Sequence, residues 1–195
     1  MISSAAEVQA RVSAWLAEAG QAEEAQPTAM TLATVNAAGQ PSARVVLLKA
    51  YDERGFVFFT NMRSGKSKEL VGNPRAALCF YWATLKRQLR VEGVTQAVSA
   101  EESDAYFASR PRESQLGAWA SLQSQALKTR EEMLARYEAA AARHAGRDVP
   151  RPPHWGGWRV LPQVIEFWEE APFRLHRRER FTRTAEGWRM ELLYP

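Results

Sequence analysis

An α+β fold, with an antiparallel β meander or barrel at its centre and helices at its periphery, is what this sequence predicts. Three observations carry the expectation. Strand-like runs follow in quick succession at Ala29–Asn36, Ser42–Lys49, Phe56–Thr60, Arg75–Trp82 and Arg87–Val98. The connections Ala37-Ala38-Gly39-Gln40-Pro41 and Asp52-Glu53-Arg54-Gly55 have the Gly, Pro and Asp content of hairpin turns. Further runs at Trp158–Trp168, Phe173–Thr182 and Trp188–Leu193 return as strands at the end of the chain. Short strands joined by tight turns make meanders and barrels, so a doubly wound parallel sheet is disfavoured.

The helices follow from spacing and caps. Val8, Val12, Trp15, Leu16 and Ala19 recur at helical intervals, which predicts an amphipathic helix over Ser4–Ala19 with Glu7, Arg11 and Glu18 on its wet side and Gly20 as its end. A polar linker then runs to Pro27. Ser64–Val71 reads as a short helix with a Ser N-cap, and Ser99 with Glu102 is a capping-box signature for a helix from Ala100 to Ser109. Pro111 stops that helix and suits the first turn of another. A long helix over Leu127–His144 shows Met133, Leu134, Tyr137 and Ala141 on one face, and Ala145–Pro153, with three prolines, is an extended connector. Gly156-Gly157 reads as a turn before a strand. The expected organisation is one domain over residues 1–195, with an N-terminal helix in 1–20 and a helical insertion at 100–144.

A chain of 195 residues buries roughly 70% of its unfolded surface, enough for a core without staples. The single cysteine, Cys79, lies in an apolar run and reads as a buried structural thiol, and no disulfide forms within the chain. Neither a leader-like segment nor an apolar run of about 20 residues is present, so a soluble, cytoplasmic protein without membrane partners is expected. The net charge of +4 admits nucleic acid, but the basic residues are scattered among acidic ones and suit anionic small ligands equally well.

Several stretches are built for anions. In Tyr106–Ser124, Tyr106 and Arg110 project from one helix face, and Ser114 falls in the first turn after Pro111, where amides, a hydroxyl and a guanidinium can meet a phosphate. A helix–Pro–helix corner with solvated arginines would read the same way. Alternation along Arg44–Lys49 puts Arg44 on one face and Lys49 on the other, which fits either a ligand crossing the sheet rim or two solvated strand ends. Phe59-Thr60-Asn61 followed by Ser64-Gly65-Lys66 makes a strand end, a turn and a helix start, a phosphate cradle without P-loop spacing. Read as a strand, Arg174–Arg180 shows Arg174, His176 and Arg178 on one face and Arg177 and Glu179 on the other, a cluster that repels itself unless an anion sits within it. The three histidines and the lone cysteine lack metal-site spacing, and no nucleophile elbow or dinucleotide fingerprint is present. Exposed aromatics interleaved with basic residues, as single-strand binders use, are not evident.

Together these residues resemble the pyridoxine/pyridoxamine 5′-phosphate oxidase family from Pro27 to Pro195. The motifs are P-T-A-M at Pro27, R-V-V-L-L-K at Arg44, R-Q at Arg87, S-R-P-R-E-S-Q-L-G-A-W at Ser109, W-G-G at Trp155, I-E-F-W at Ile165 and R-L-H at Arg174. The resemblance implies a split β-barrel homodimer with FMN at the subunit interface, so that the second chain supplies part of each pocket. It implies oxidation of pyridoxamine or pyridoxine 5′-phosphate to pyridoxal 5′-phosphate, with O2 consumed, H2O2 released, and ammonia leaving from the amine. The flavin side would be Arg44, Val45, Val46, Leu47, Leu48, Lys49, Phe59, Thr60, Lys66, Gln88, Gln123, Ser124, Trp168 and Arg178. Lys49, Tyr106, Arg110 and Ser114 would take the substrate phosphate, with Arg174, Leu175 and His176 at the substrate and Arg174 and His176 as its catalytic pair. The chain departs from the family pattern in several places. Gly65 stands where an arginine is usual, with Arg63 nearby as a substitute; Phe59 replaces a tyrosine; Arg177 replaces an aspartate that would partner Arg178. The basic arm that precedes the first helix in longer members is also missing. Those departures keep two other readings open: a flavin oxidoreductase acting on another ring, such as a phenazine precursor, and a non-catalytic FMN or pyridoxal phosphate carrier.

Overall fold

The computed structural model describes residues 2–22 and 25–195, so the polar linker expected before Pro27 includes Glu23 and Glu24, which lie outside the described residues. Among the described residues ten strands form a single antiparallel sheet: β1 (Ile2–Ser3), β2 (Ala29–Val35), β3 (Pro41–Leu47), β4 (Ala50–Asp52), β5 (Gly55–Asn61), β6 (Arg75–Trp82), β7 (Arg87–Ala97), β8 (Trp155–Glu169), β9 (Arg177–Thr184) and β10 (Gly187–Leu192). The order runs β1-β10-β9-β8-β7-β6-β2-β3, while β5 pairs with β4 and with β8. β3 leads into β4 through Leu48 and Lys49, and the Lys49 amide donates to Val57 O at 2.8 Å, which returns the path to β5 and closes a split barrel. The expected α+β class holds, and β6 begins and ends where its pattern predicted.

β8 governs the layout. Its first residues pair with β5, from Trp155↔Asn61 to Val160↔Phe56, and its last with β9, from Val164↔Thr182 to Glu169↔Arg177. β7 follows it along most of its length, with a register shift between Glu92 and Gly93, which pair with Val164 and Pro162 so that Gln163 is passed over. Gly93 is required there, because an added Cβ would stand 2.1 Å from Leu161 O. Inside the barrel, Met30, Leu32, Phe56, Phe58, Leu78, Phe80, Leu89, Val91, Val160 and Phe167 are almost wholly buried. Helix α1 (Ala5–Gln21) covers one end with Val8, Val12, Trp15 and Ala19, and the Trp15 ring meets Phe167 edge-on at 4.9 Å.

A second cluster, Phe107, Leu116, Val149 and Trp155, seats the other helices on the start of β8. These are α3 (Ala100–Ala108), α4 (Arg112–Ala120) and α5 (Arg130–Arg143), with the short α2 (Gly65–Gly72) after β5. Arg159 of β8, 2% exposed, reaches Asp52 at 2.6 Å and Glu102 in the first turn of α3 at 3.2 Å, and Arg54 joins the same two carboxylates at 2.8 and 2.7 Å. This network ties α3 to the barrel.

Several expectations are corrected. Gly20 does not end α1, which runs to Gln21 and is closed by the Ala22 amide on Glu18 O; Ser4 and Glu7 instead form a full capping box at its start. Arg11 is not on a wet face but pairs with Glu179, itself 4% exposed, beneath the Phe167 ring. Ser99 caps α3, yet Glu102 turns to Arg54 and Arg159, so that capping box is half made. Ser64 stands at the N-cap of α2 without a side-chain capping bond. Helix α5 begins at Arg130 with Thr129 as its cap, and Leu134 is exposed while Ala140 takes its expected place on the packed face. Gly156 and Gly157 are strand, not turn: the Phe59 ring occupies the space of a Gly157 side chain, with Phe59 Cδ1 2.7 Å from an added Cβ. Pro172–Arg174 is a 3-10 turn with Phe173 and Arg174 at φ 59 and 63, so β9 starts only at Arg177.

Hydrogen bonding from Arg54, opposed by partial burial and aided by Arg159, holds the Glu102 carboxyl below its ordinary value. A carboxylate with a depressed folded pKa gives stability that is full above its unfolded value and lost as pH falls through the folded one. Glu102→Gln should therefore lose less stability than the unsubstituted chain between about pH 5 and pH 3, read from urea midpoints.

Candidate functional site

Two cavities adjoin on one side of the barrel. The larger, about 530 Å³, is lined by Arg44, Val45, Val46, Leu47 and Lys49 from β3 and its exit, Phe59 and Thr60 from β5, Gly65 and Lys66 from α2, and Gln123 and Ser124. Nearly every residue of the expected flavin set from the first half of the chain is here. Leu48 differs: it is 6% exposed within the core, and its amide donates to Thr28 O at 2.8 Å. Arg44 and Lys49, expected on opposite faces, line the same cavity, because the strand ends at Leu47 and the turn into β4 breaks the alternation.

The charges in this cavity are unevenly met. Arg44 donates to Glu69 at 3.0 Å and to the Thr34 hydroxyl, so its charge is balanced locally. Among the described residues Lys66 finds only neutral oxygens, Thr60 Oγ1 at 3.1 Å, Gln123 Oε1 at 3.3 Å and Ser64 Oγ at 3.5 Å. Burial, then the nearby Arg44 cation, lower the Lys66 pKa against the pull of Glu69. A cation so placed gains from an anion arriving in the cavity. At Gly65 an added Cβ would meet Ser124 Oγ at 3.8 Å, an ordinary contact, while Arg63 is exposed and does not line the cavity.

The smaller cavity, about 330 Å³, is lined by Arg110, Ser114, Gly117, Ala118, Ser121 and Trp155, and shares Phe59, Thr60 and Gln123 with the first, as well as reaching Asn61. Tyr106 stacks on Phe59 at 4.2 Å between ring centroids, and Phe59 on Trp155 at 5.2 Å. Arg110 lies over the Trp155 ring at 4.9 Å, and its buried Nη1 has no hydrogen-bond partner among the described residues. Burial lowers its pKa, with Tyr106 opposing. Pro111 does start a new helix, and Ser114 lies in its first turn, though the Ser114 amide is already given to Pro111 O at 2.9 Å.

The other expected residues lie elsewhere. Gln88, Trp168 and Arg178 are cross-strand partners in one row over β7, β8 and β9. Beside them, the His176 ring packs on Trp168 at 4.6 Å and its Nδ1 accepts from the Ala171 amide at 3.2 Å, which leaves Nε2 as the donor. Phe59 pairs with Gly157 on β8, eleven residues before Trp168. At the strand rise, that is about 36 Å along β8. The basic stretch does not need an outside anion throughout. Arg178 binds Glu166 through two hydrogen bonds of 2.8 and 3.2 Å, Arg177 binds Glu179, and Arg180 binds Glu191. The carboxylate expected to be missing for Arg178 is Glu166. Arg174, Leu175 and Phe173 are exposed, the last at 93%. Cys79 is half-buried and burial pushes its thiol up, so it is no activated nucleophile.

Sequence reasoning gave no individual role to Asn61, Gly117, Ala118, Ser121 and Trp155, which line the smaller cavity. Signals were present for most of them: Asn61 ends the Phe59-Thr60-Asn61 cradle, Gly117 and Ala118 lie in the motif that starts at Ser109, and Trp155 opens W-G-G. No described helix is long and apolar enough to cross a membrane.

Comparison with known proteins gives a consistent picture. The sequence family described as "Pyridoxamine 5′-phosphate oxidase" matches residues 16–144, and that described as "Pyridoxine 5′-phosphate oxidase C-terminal dimerisation region" matches residues 155–195. A protein of Thermosynechococcus vestitus named pyridoxine/pyridoxamine 5′-phosphate oxidase is 56% identical over 93% of this chain and 85% of its own length. One of the same name from Xanthomonas axonopodis pv. citri is 55% identical over 97% of this chain and 98% of its own. Among solved structures, PhzG from Burkholderia lata 383, in complex with tetrahydrophenazine-1-carboxylic acid, superposes with a TM-score of 0.91 at 33% identity, over 95% of this chain and 91% of its own.

Proposed function

The chain belongs to the pyridoxamine 5′-phosphate oxidase family, and from that premise we propose that it converts pyridoxamine and pyridoxine 5′-phosphate to pyridoxal 5′-phosphate. The alcohol gives up two hydrogens to become the aldehyde, and O2 becomes H2O2. From the amine, water enters and ammonia leaves as well. FMN is the cofactor and supplies the two-electron acceptor. The single observation that carries the site assignment is the pair of adjoining cavities, each with a cation lacking a carboxylate partner, Lys66 in one and Arg110 in the other. Two phosphorylated ligands need two such places.

The larger cavity fits a flavin mononucleotide. Its size lies in the range of about 300–1,000 Å³ used for small ligands, and it combines the apolar stretch Val45–Leu47 with Lys66, Arg44 and the Thr60 hydroxyl. Lys66, with Thr60, Gln123 and Ser124, would hold its phosphate or polar edge, and Leu48 would act only through its backbone. In the smaller cavity Arg110 and Ser114 take the substrate phosphate, with Tyr106 fixed by its stack on Phe59 and Lys49 contributing from the adjoining larger cavity. Arg174 and His176 align the substrate ring, His176 donating through Nε2.

One chain cannot bring all these groups to one ligand, because Trp168, Arg178, Arg174 and His176 stand at the far end of β8 from both cavities. The chain assembles as a homodimer through its C-terminal region. FMN then sits at the subunit interface, with Gln88, Trp168, Arg174, Leu175, His176 and Arg178 reaching the cavities of the other copy. The exposed Val45 at 67% and Leu175 at 68% support this, being apolar groups that a partner would cover. Residues 1–195 fold as one unit on this reading, since β1 pairs with β10, and residues 100–144 form the insertion that carries the phosphate site. A second reading, oxidation of a phenazine precursor, is favoured only by the likeness to PhzG at 33% identity, below the 55–56% shared with the vitamer phosphate oxidases.

The purified protein should be yellow and should release peroxide with pyridoxamine or pyridoxine 5′-phosphate in an oxygen-coupled assay; retained flavin without turnover of either would favour the second reading. Arg110→Ala should raise the KM for either substrate about ten- to a hundredfold, from loss of a charge-assisted hydrogen-bond pair, with flavin content unchanged. A variant that lost flavin and kept its KM would show that the two phosphate sites are exchanged.

A further inference from the structure

The corner between α3 and α4 carries Arg110, and its backbone is short of donors. Pro111 has no amide hydrogen, and the last carbonyls of α3 need partners from outside the helix. Tyr106 O accepts from the Ser109 hydroxyl at 2.8 Å, and Phe107 O from the Arg110 amide at 3.2 Å. The Gln115 side chain closes the rest: its Nε2 reaches Phe107 O at 3.0 Å and Ala108 O at 3.2 Å. Gln115 is 9% exposed and lies one turn into α4, so its amide is a buried clamp from α4 back onto the final turn of α3. It does not line the cavity in which Arg110 and Ser114 stand.

We propose that Gln115 is a positioning residue for substrate: by bridging the end of α3 to α4 it fixes the angle of the corner, and with it the separation of Arg110 on one side from Ser114 on the other. The proposal rests on the phosphate reading above. The side-chain type follows from the geometry. Two carbonyls facing one group call for a neutral side chain with two N–H donors, which an amide supplies. A thioether would fill the space and donate nothing. A carboxylate would set its charge against both carbonyl oxygens unless it kept its proton. The Arg110 guanidinium, already partly buried with an unpaired Nη1, gains from such a mount, because an anion site held in place before ligand arrives does not have to be ordered on binding.

The test uses the FMN-loaded full-length protein and pyridoxamine 5′-phosphate. Gln115→Met should raise KM about five- to tenfold, the loss of a buried hydrogen-bond donor, with kcat and flavin content held. In an Arg110→Ala background the same substitution should raise KM by a clearly smaller factor, since one of the two groups it separates is gone. Gln115→Glu, with one O–H donor for two carbonyls while its carboxyl is protonated, should show a modestly raised KM that climbs further with pH as it ionises, a titration absent from the unsubstituted enzyme. An unchanged KM in Gln115→Met, even with a lowered melting temperature, would overturn the positioning role, as would an undiminished five- to tenfold rise in the Arg110→Ala background. Arg110→Ala alone separates the two failures. A normal KM in that variant overturns the phosphate assignment and the positioning role together, whereas a raised KM there beside a normal one in Gln115→Met overturns the positioning role only.

Discussion

The length of β8 is the constraint on which the rest of the site depends. Fifteen residues carry it from β5, where Phe59, Thr60 and the two cavities lie, to β9, where Trp168, His176 and Arg178 lie. A strand is stiff and its rise per residue nearly fixed, so no rearrangement of side chains can bring its ends together. The register shift at Glu92/Gly93, where Gly93 admits the close approach of Leu161 O, leaves β7 paired with β8 on both sides of it. A ligand that touches both groups must lie between two copies.

Electrostatics then separates cations matched by a carboxylate from those that are not. Most arginines are matched: Arg11 by Glu179, Arg44 by Glu69, Arg159 by Asp52 and Glu102, Arg178 by Glu166. Such pairs hold helices and strands to the sheet, and breaking one leaves a partly buried charge exposed to the full cost of desolvation. Lys66 and Arg110 stand apart, since their nearest partners are neutral oxygens or aromatic rings. Burial lowers the pKa of both, the signature of a cation kept from water without a counter-charge. Both face cavities, and the cavities touch.

Much of this was legible in the sequence, for physical reasons. Strand patterning located β6 because alternate residues there face a single core, and Ser99 announced α3 because an unpaired helix start needs an acceptor. Local rules failed where a distant partner decided the outcome. Gly156-Gly157 looked like a turn, but the glycines make room for Phe59 on the neighbouring strand. Arg174 looked like part of a strand, yet the chain enters the left-handed region at Phe173 and Arg174, a conformation that no spacing rule anticipates. Arg44 and Lys49 were placed on opposite faces by alternation that stops at Leu47. The carboxylates opposite Arg177, Arg178 and Arg180 come from register, which a run of basic residues cannot show. Resemblance to a family supplied expected residue roles, and the fold divides the residues so named into two groups.

The central claim, that each site is built from two chains, is tested most directly by hybrid dimers. Chains carrying Arg110→Ala and chains carrying His176→Ala, separately tagged and co-expressed, would be mixed at random and assayed for peroxide release at substrate below KM. If Arg110 and His176 of one site come from different copies, a hybrid holds one intact site and one doubly defective site. The mixture should then recover about a quarter of the unsubstituted activity, since half the dimers are hybrids and half their sites are whole. Activity no higher than that of the two variants alone would mean that both residues of a site come from the same chain, and would contradict the account.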